Sequence, residues 1–216
     1  MKSRIDAILR REQAEYLDSL LPPRDPLLAA MEKFAADENH PIADAEVAQL
    51  MQVLLRLKTP RHILEVGTNI GYSVVVMGRE CDRGAIVETI ELNPQTLHKA
   101  KSFVGDAKLE CQVIFHEGAA LEVISRLSGP FDFVFIDCVK TEYGDYLDQL
   151  LPKLQQGALI VCDNLLWKGE VAAAPREGEE PSATALRIFN HRITTDPRLL
   201  TSILPMSDGI GLSVVL

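Results

Sequence analysis

The sequence predicts an α/β protein: a mostly parallel sheet with helices on both faces, a last strand running antiparallel, and extra helices ahead of the sheet. Three observations carry this. From about residue 61, runs of β-forming residues alternate with segments of helical spacing. Several runs are almost continuously apolar, as strands covered on both faces are. Near the C-terminus, two apolar runs are joined only by Pro205-Met206-Ser207-Asp208-Gly209, a link short enough for a hairpin.

The opening region reads as helical. Ile5, Ile8, Leu9, Tyr16, Leu17 and Leu20 have rough helical spacing, and Pro22-Pro23 stops that segment. Asp25-Pro26 is a cap followed by a proline at the first helical position, opening a helix to about Ala36. Asp44 opens another, with Val47, Leu50, Met51, Leu54 and Leu55 as its apolar stripe. Strands are expected near 62–66, 85–90, 111–115, 131–136 and 157–162, with helices near 71–80, 94–103, 119–127 and 143–151. Strand, helix, strand at that spacing implies right-handed crossovers. One more helix is expected over 182–195, then the hairpin of Leu199 to Leu204 and Ile210 to Leu216. The stretch 172–182, rich in Ala, Pro, Gly and Glu, reads as a mobile loop.

The length of 216 residues fits a single domain over 1–216, with 1–58 as a helical cap and 59–216 as the core. A net charge of −9 offers no general attraction for nucleic acid or anionic lipid. There is no long apolar leader and no run long enough to span a membrane. Cys81, Cys111, Cys138 and Cys162 are scattered without a C-x-x-C pair, so neither a zinc site nor a disulfide framework is indicated and a cytoplasmic home is expected.

The chemistry sits where apolar runs end in acids. Phe133-Val134-Phe135-Ile136 runs into Asp137, with Lys140 three residues on, and Ala158-Leu159-Ile160-Val161-Cys162 runs into Asp163-Asn164. The carboxyl ends of parallel strands are where open α/β sheets bind ligands. Two carboxylates and an amide oxygen there form a half-shell suited to Mg²⁺, with Mn²⁺ or Ca²⁺ also accepting such donors. A cation would relieve the repulsion between crowded carboxylates and lower the pKa of a bound hydroxyl, and Lys140 is placed to take the departing proton.

Glu65-Val66-Gly67-Thr68-Asn69-Ile70-Gly71-Tyr72-Ser73 follows the first strand and opens a helix. Glycine lets the backbone approach a ligand, but this is not the dinucleotide G-x-G-x-x-G, which points to a smaller nucleoside. Glu91 ends the second strand, placed to accept hydrogen bonds from ribose hydroxyls. His40, His62, His98, His116 and His191 show no metal spacing and read as structural or surface residues. Trp167 either packs against a planar substrate or anchors its own loop.

These motifs resemble the cation-dependent O-methyltransferases, the family of catechol and caffeoyl-CoA O-methyltransferases and small bacterial relatives. The resemblance rests on Glu-Val-Gly-Thr-x-x-Gly-Tyr-Ser from residue 65, Ile90-Glu91, Asp137-x-x-Lys140-x-x-Tyr143-x-x-Tyr146 and Asp163-Asn164-x-x-Trp167-x-Gly169. Arg187-x-Phe189-Asn190, Asp196-Pro197-Arg198 and Leu204-Pro205-x-x-Asp208-Gly209 add to it. It implies a Rossmann-like S-adenosylmethionine-dependent methyltransferase fold with seven strands.

It also implies roles. Glu65, Gly67, Thr68 and Ser73 would hold the methionine side of S-adenosylmethionine, Glu91 the ribose, and Gly118-Ala119 would lie beside the adenine. Asp137, which also borders the cofactor, would bind the divalent metal with Asp163 and Asn164, and Lys140 would act as base. The implied reaction is methyl transfer to a metal-bound hydroxyl of a small catechol-like aromatic, by an enzyme that forms a homodimer. Family patterns also admit a tRNA hydroxyuridine acceptor, with Lys168, Arg176, Arg187, Arg192 and Arg198 as a basic rim. A non-catalytic nucleoside-binding module is the third alternative. Cys138-Val139 stands where animal catechol enzymes carry His-Trp, and their acidic residue upstream of Asp-Gly is replaced around Pro205, so the acceptor is left open.

Overall fold

The computed structural model describes residues 10–216. A seven-stranded sheet has the order β3-β2-β1-β4-β5-β7-β6. Its strands are β1 (His62–Val66), β2 (Ile86–Glu91), β3 (Gln112–Glu117), β4 (Phe131–Ile136), β5 (Leu154–Cys162), β6 (Leu199–Leu204) and β7 (Ile210–Val215). β1 to β5 pair in parallel, and β7 inserts antiparallel between β5 and β6. The terminal hairpin and its antiparallel last strand are as expected.

The helices are α1 (Arg11–Ser19), α2 (Pro26–Asp37), α3 (Ala45–Lys58), α4 (Tyr72–Arg79), α5 (Pro94–Ala107), α6 (Ala120–Arg126), α7 (Tyr143–Leu150) and α8 (Pro181–Thr195). Alternation along the strands divides them into two layers. Ile63, Val87, Phe133, Phe135 and Val161 face the layer that holds α2 to α5. Leu64, Val66, Ile90, Val134, Ile136 and Ile160 face α6, α7 and α8. Leu28, Met31, Val47, Met51 and Leu55 of α2 and α3 belong to the first core, so these N-terminal helices are packed onto the sheet layer rather than standing apart from it.

Several boundaries differ from expectation. Ile5, Ile8 and Leu9 lie outside the described residues. α5 continues four residues beyond the expected end at 103, where Phe103 and Val104 still face the core. β5 starts at Leu154 rather than 157, because Leu154 pairs with Phe131 before the register shifts between Phe131 and Phe133. Asp44 sits at the N-cap of α3 but makes no cap bond; its carboxylate instead accepts from Ser207 Oγ at 2.5 Å. The 172–182 stretch is tied at both ends by Arg187, whose guanidinium donates to the carbonyls of Glu170, Val171 and Ala173 and pairs with Glu179 at 2.8 Å.

Asp25 caps α2 by accepting from Leu27 N at 2.9 Å and Leu28 N at 3.3 Å, and Arg79 of α4 pairs with the same carboxylate. The Arg79 hydrogen bond leads in pulling its pKa down to about 2. A depressed acid contributes stability above its unfolded pKa and loses it as pH falls through the folded value. Asp25→Ala should therefore cost ~1 kcal/mol at pH 7, kept small because the side chain is partly exposed. The gap to the parent protein should narrow below pH ~4 and close toward pH 2, read by urea unfolding across that range.

Candidate active site

Strand register sets the site. Ile90 pairs with Val66, Val66 with Ile136, and Ile136 with Cys162. The residues that follow, Glu91 at the end of β2 and Gly67, Asp137 and Asp163 beyond the other three, therefore form a row along the carboxyl edge. Neighbours in such a row are about 4.8 Å apart. Backbone bonds continue the pairing past the strand ends: Asp137 N to Val66 O and Asp163 N to Ile136 O, both 3.0 Å.

Gly67 lies against Asp137. It has φ +106°, and a Cβ built there would stand 2.2 Å from the Asp137 carbonyl oxygen. Only glycine fits, because the chain-to-chain contact leaves no room for a Cβ. The turn beyond it is held by Glu91, whose Oε2 accepts from Asn69 N at 2.8 Å while Oε1 accepts from Asn93 N at 2.9 Å. Asn69, at φ +47°, also meets His40 Nδ1 at 2.9 Å and donates to Pro41 O, joining the turn to the α2–α3 linker.

Glu65 is fully buried and does not line the cleft. Its carboxyl meets the hydroxyls of Ser73 and Thr89, and Thr89 in turn meets Thr68 at 2.5 Å. Burial pushes its pKa up to about 8, against the lowering effect of those two hydroxyls. Glu65 thus supports Thr68 and Ser73 from behind. Gly118 and Ala119 also lie off the cleft lining, one strand over, where Gly118 N donates to Glu91 O at 3.0 Å.

Lys140 is buried, with Nζ donating to Asp137 Oδ1 at 2.7 Å and Tyr143 Oη at 3.0 Å. Tyr143 Oη lies 3.1 Å from the carbonyls of both Ile136 and Asp163, stitching the two strand ends together. Burial raises the Tyr143 pKa well above its ordinary value, keeping it a neutral phenol. Asp163 and Asn164 are buried, and Asp163 Oδ1 accepts from Asn164 N at 2.6 Å.

The donor set fits a hard cation. Asp137, Asp163 and Asn164 offer oxygen only. Asn164 Nδ2 has no partner among the described residues, and an orphaned buried amide costs about 1–3 kcal/mol. The two ends of an amide are alike in shape, so rotating it delivers an oxygen to the same place. Asp163 itself does not line the cleft, and no three His, Cys, Asp or Glu side chains among the described residues cluster as a ligand group.

The cleft has a volume of about 480 Å³, in the range of small-molecule sites. Its lining includes Gly67, Thr68 and Ser73 after β1, Glu91 of β2, Asp137, Lys140 and Asn164 after β4 and β5, and Trp167, Lys168 and Asp208 from the loops beyond. Pro41, Ile42 and Ala43 close it from the α2–α3 linker, which no sequence motif marked. Trp167 lines the cleft, and its Nε1 anchors the loop to Glu180 at 2.6 Å. The Asp208-Gly209 turn packs on Leu165 and Leu166, which donate to the carbonyls of Gly209 and Asp208 at 2.9 and 2.8 Å.

The O-methyltransferase family model matches residues 23–215. The chain belongs to that family. It is 30% identical over 211 residues to a catechol O-methyltransferase of Niastella koreensis, covering 93% of this chain and 95% of the relative. A caffeoyl-CoA O-methyltransferase of Eucalyptus globulus is 29% identical over 78% of this chain and 72% of its own. Among solved structures, the Bacillus cereus O-methyltransferase in complex with SAH superposes with a TM-score of 0.85 at 28% identity, over 95% of this chain and 97% of that one. The Streptomyces achromogenes O-methyltransferase TomG in complex with SAM gives 0.82 at 25% identity, over 100% and 99%. Fold and family are those of the S-adenosylmethionine-dependent O-methyltransferases.

Glu65 provides a test of the buried support beneath the turn. A folded pKa raised above the unfolded value gives stability that is full below about 4.5 and is lost as pH rises through about 8. Glu65→Gln, which keeps the neutral hydrogen-bonding shape, should unfold at higher urea than the parent at pH 8.5. The difference should vanish as pH falls toward 4.5.

Proposed function

We propose that this O-methyltransferase carries a methyl group from S-adenosylmethionine to one hydroxyl of a small catechol-like acceptor, with a divalent cation held by Asp137, Asp163 and Asn164. The observation that carries the reading is the adjacency of Asp137 and Asp163 at paired strand ends, with Lys140 Nζ 2.7 Å from Asp137 beside the Gly67 turn. The names of the relatives, catechol and caffeoyl-CoA O-methyltransferase, support the acceptor class. When bound, Mg²⁺ or a similar ion would supply the charge that acidifies a hydroxyl and would favour two adjacent oxygens.

The chain's own residues do the rest. Thr68, Ser73 and Glu91 bind and orient the cofactor, and Gly67, by admitting the Asp137 carbonyl, sets the turn that presents them. Lys140, as the neutral amine, takes the proton that the acceptor hydroxyl loses, and the ammonium so formed is the one held by Asp137 and Tyr143. Trp167 and the Pro41–Ala43 linker border the cleft on the acceptor side. Positioning a methyl donor and a nucleophile within one cleft is the main source of rate in such a transfer.

A tRNA acceptor draws little support. Of its basic rim, Arg176 pairs with Glu170, Arg187 with Glu179, Arg192 with Asp148 and Arg198 with Asp196. Cations already neutralised by carboxylates offer little to a phosphate backbone.

Labelled methyl transfer from S-adenosylmethionine to a catechol panel should proceed with Mg²⁺ and stop with excess chelator. Asp137→Ala and Asp163→Ala should each abolish turnover while calorimetry shows cofactor affinity changed by less than about threefold, the pattern of a lost reaction-step contact. Undiminished turnover in either variant would sink the metal assignment.

A further inference from the structure

Lys168 is the one member of the former basic rim that lines the cleft, and its ammonium forms no ion pair among the described residues. The other cation on the lining, Lys140, is held by Asp137 at 2.7 Å. Glu91, Asp137 and Asp208 put carboxylates on the same walls, in a chain of net charge −9. An anionic group on an acceptor therefore meets one uncommitted positive charge in this cleft, and it is Lys168.

The backbone holds that residue in place at a cost. Trp167 and Lys168 are consecutive non-glycine residues at positive φ, +45° and +55°. The left-handed conformation costs roughly 1–2 kcal/mol per residue. Four contacts stabilise it: Lys168 N to Asp208 Oδ1 at 2.6 Å, Trp167 N to Asn164 O at 3.2 Å, Gly169 N to Leu166 O at 2.9 Å, and Trp167 Nε1 to Glu180. Through Trp167 N the segment hangs directly from Asn164, another residue of the cleft lining. Strain retained in a wall of a binding cleft is a mark of placement for a ligand.

Resting on the catechol reading above, we propose that Lys168 selects acceptors whose ring carries a carboxylate. The two hydroxyls would face Asp137 and Asn164, leaving a substituent on the opposite side of the ring to reach the Trp167–Lys168 wall. Lys168 acts here on affinity for the acceptor and takes no part in methyl transfer.

The test compares 3,4-dihydroxybenzoate with its methyl ester, which has the same ring and hydroxyls but no charge, with catechol as a third probe. kcat and KM are measured for the parent chain, Lys168→Ala and Lys168→Arg, and acid and ester affinities by calorimetry on protein loaded with S-adenosylhomocysteine and Mg²⁺. The parent should prefer the acid over the ester by about three- to fivefold, as one solvent-accessible ion pair allows. The preference should lie in KM and affinity rather than kcat, and fade in high salt. Lys168→Ala should bring the ratio to about one, and Lys168→Arg should keep most of it. A parent ratio of one, or a ratio unchanged in Lys168→Ala, overturns the proposal. Turnover of catechol by the parent reports separately on the catechol reading, and the calorimetric ratio decides the role of Lys168 even if no probe is methylated.

Discussion

The absence of a side chain at Gly67 lets the ends of β1 and β4 lie in direct contact. The Asp137 carbonyl oxygen occupies the space where a Cβ would stand, so the turn after β1 rests on the backbone that delivers the site's first acid. Because Ile136 pairs with Cys162 one strand further on, the same contact fixes where Asp163 and Asn164 fall relative to that turn. The Gly67 turn and the acid side are thus positioned by one backbone approach, and adding even a methyl group there would move both.

Around that contact, polar side chains lie beneath and behind the residues that face the cleft. Glu65 reaches Thr68 and Ser73 through hydroxyls, and Glu91 holds the Gly67–Gly71 turn by the Asn69 amide. Tyr143 joins the Ile136 and Asp163 carbonyls to the Lys140 ammonium. Such networks stabilise only when each member is satisfied, and they fix rotamers to within the tolerance that transfer chemistry needs. The walls are tied in by the same means: Asn69 to Pro41, Asp44 to Ser207, and Asp208 to Lys168. Loops distant in sequence are therefore tied into one frame.

Charge follows a different rule on the surface from that in the cleft. On α8 and the segments beside it, basic residues are consumed by local acids, which leaves no extended positive face there. Within the cleft, Asp137 and Lys140 are paired and Lys168 stands apart. The chain is acidic overall, and the cleft lining carries a single cation without an ion pair among the described residues.

The strands themselves, the antiparallel hairpin and the acids at strand ends were legible in the residues because each depends on local pattern, whereas the order of the strands in the sheet emerged only from the fold. Apolar runs identify buried parallel strands, and a run that stops at Asp137 or Asp163 delivers that acid to the carboxyl edge whatever surrounds it. Asp25-Pro26 identified a helix start for the same reason. What depends on distance could not be read. Glu65 belongs to the motif that resembles a cofactor contact, yet β1 turns it into the interior, where Ser73 and Thr89 receive it. Pro41, Ile42 and Ala43 carry no signal, and enter the cleft only because α2 and α3 pack on the sheet. The arginines looked like a basic rim until folding brought each beside its carboxylate. Pattern along the chain determined which residues reach the edge of the sheet; packing across it decided which of them face the cleft, which lie behind it, and which charges remain free.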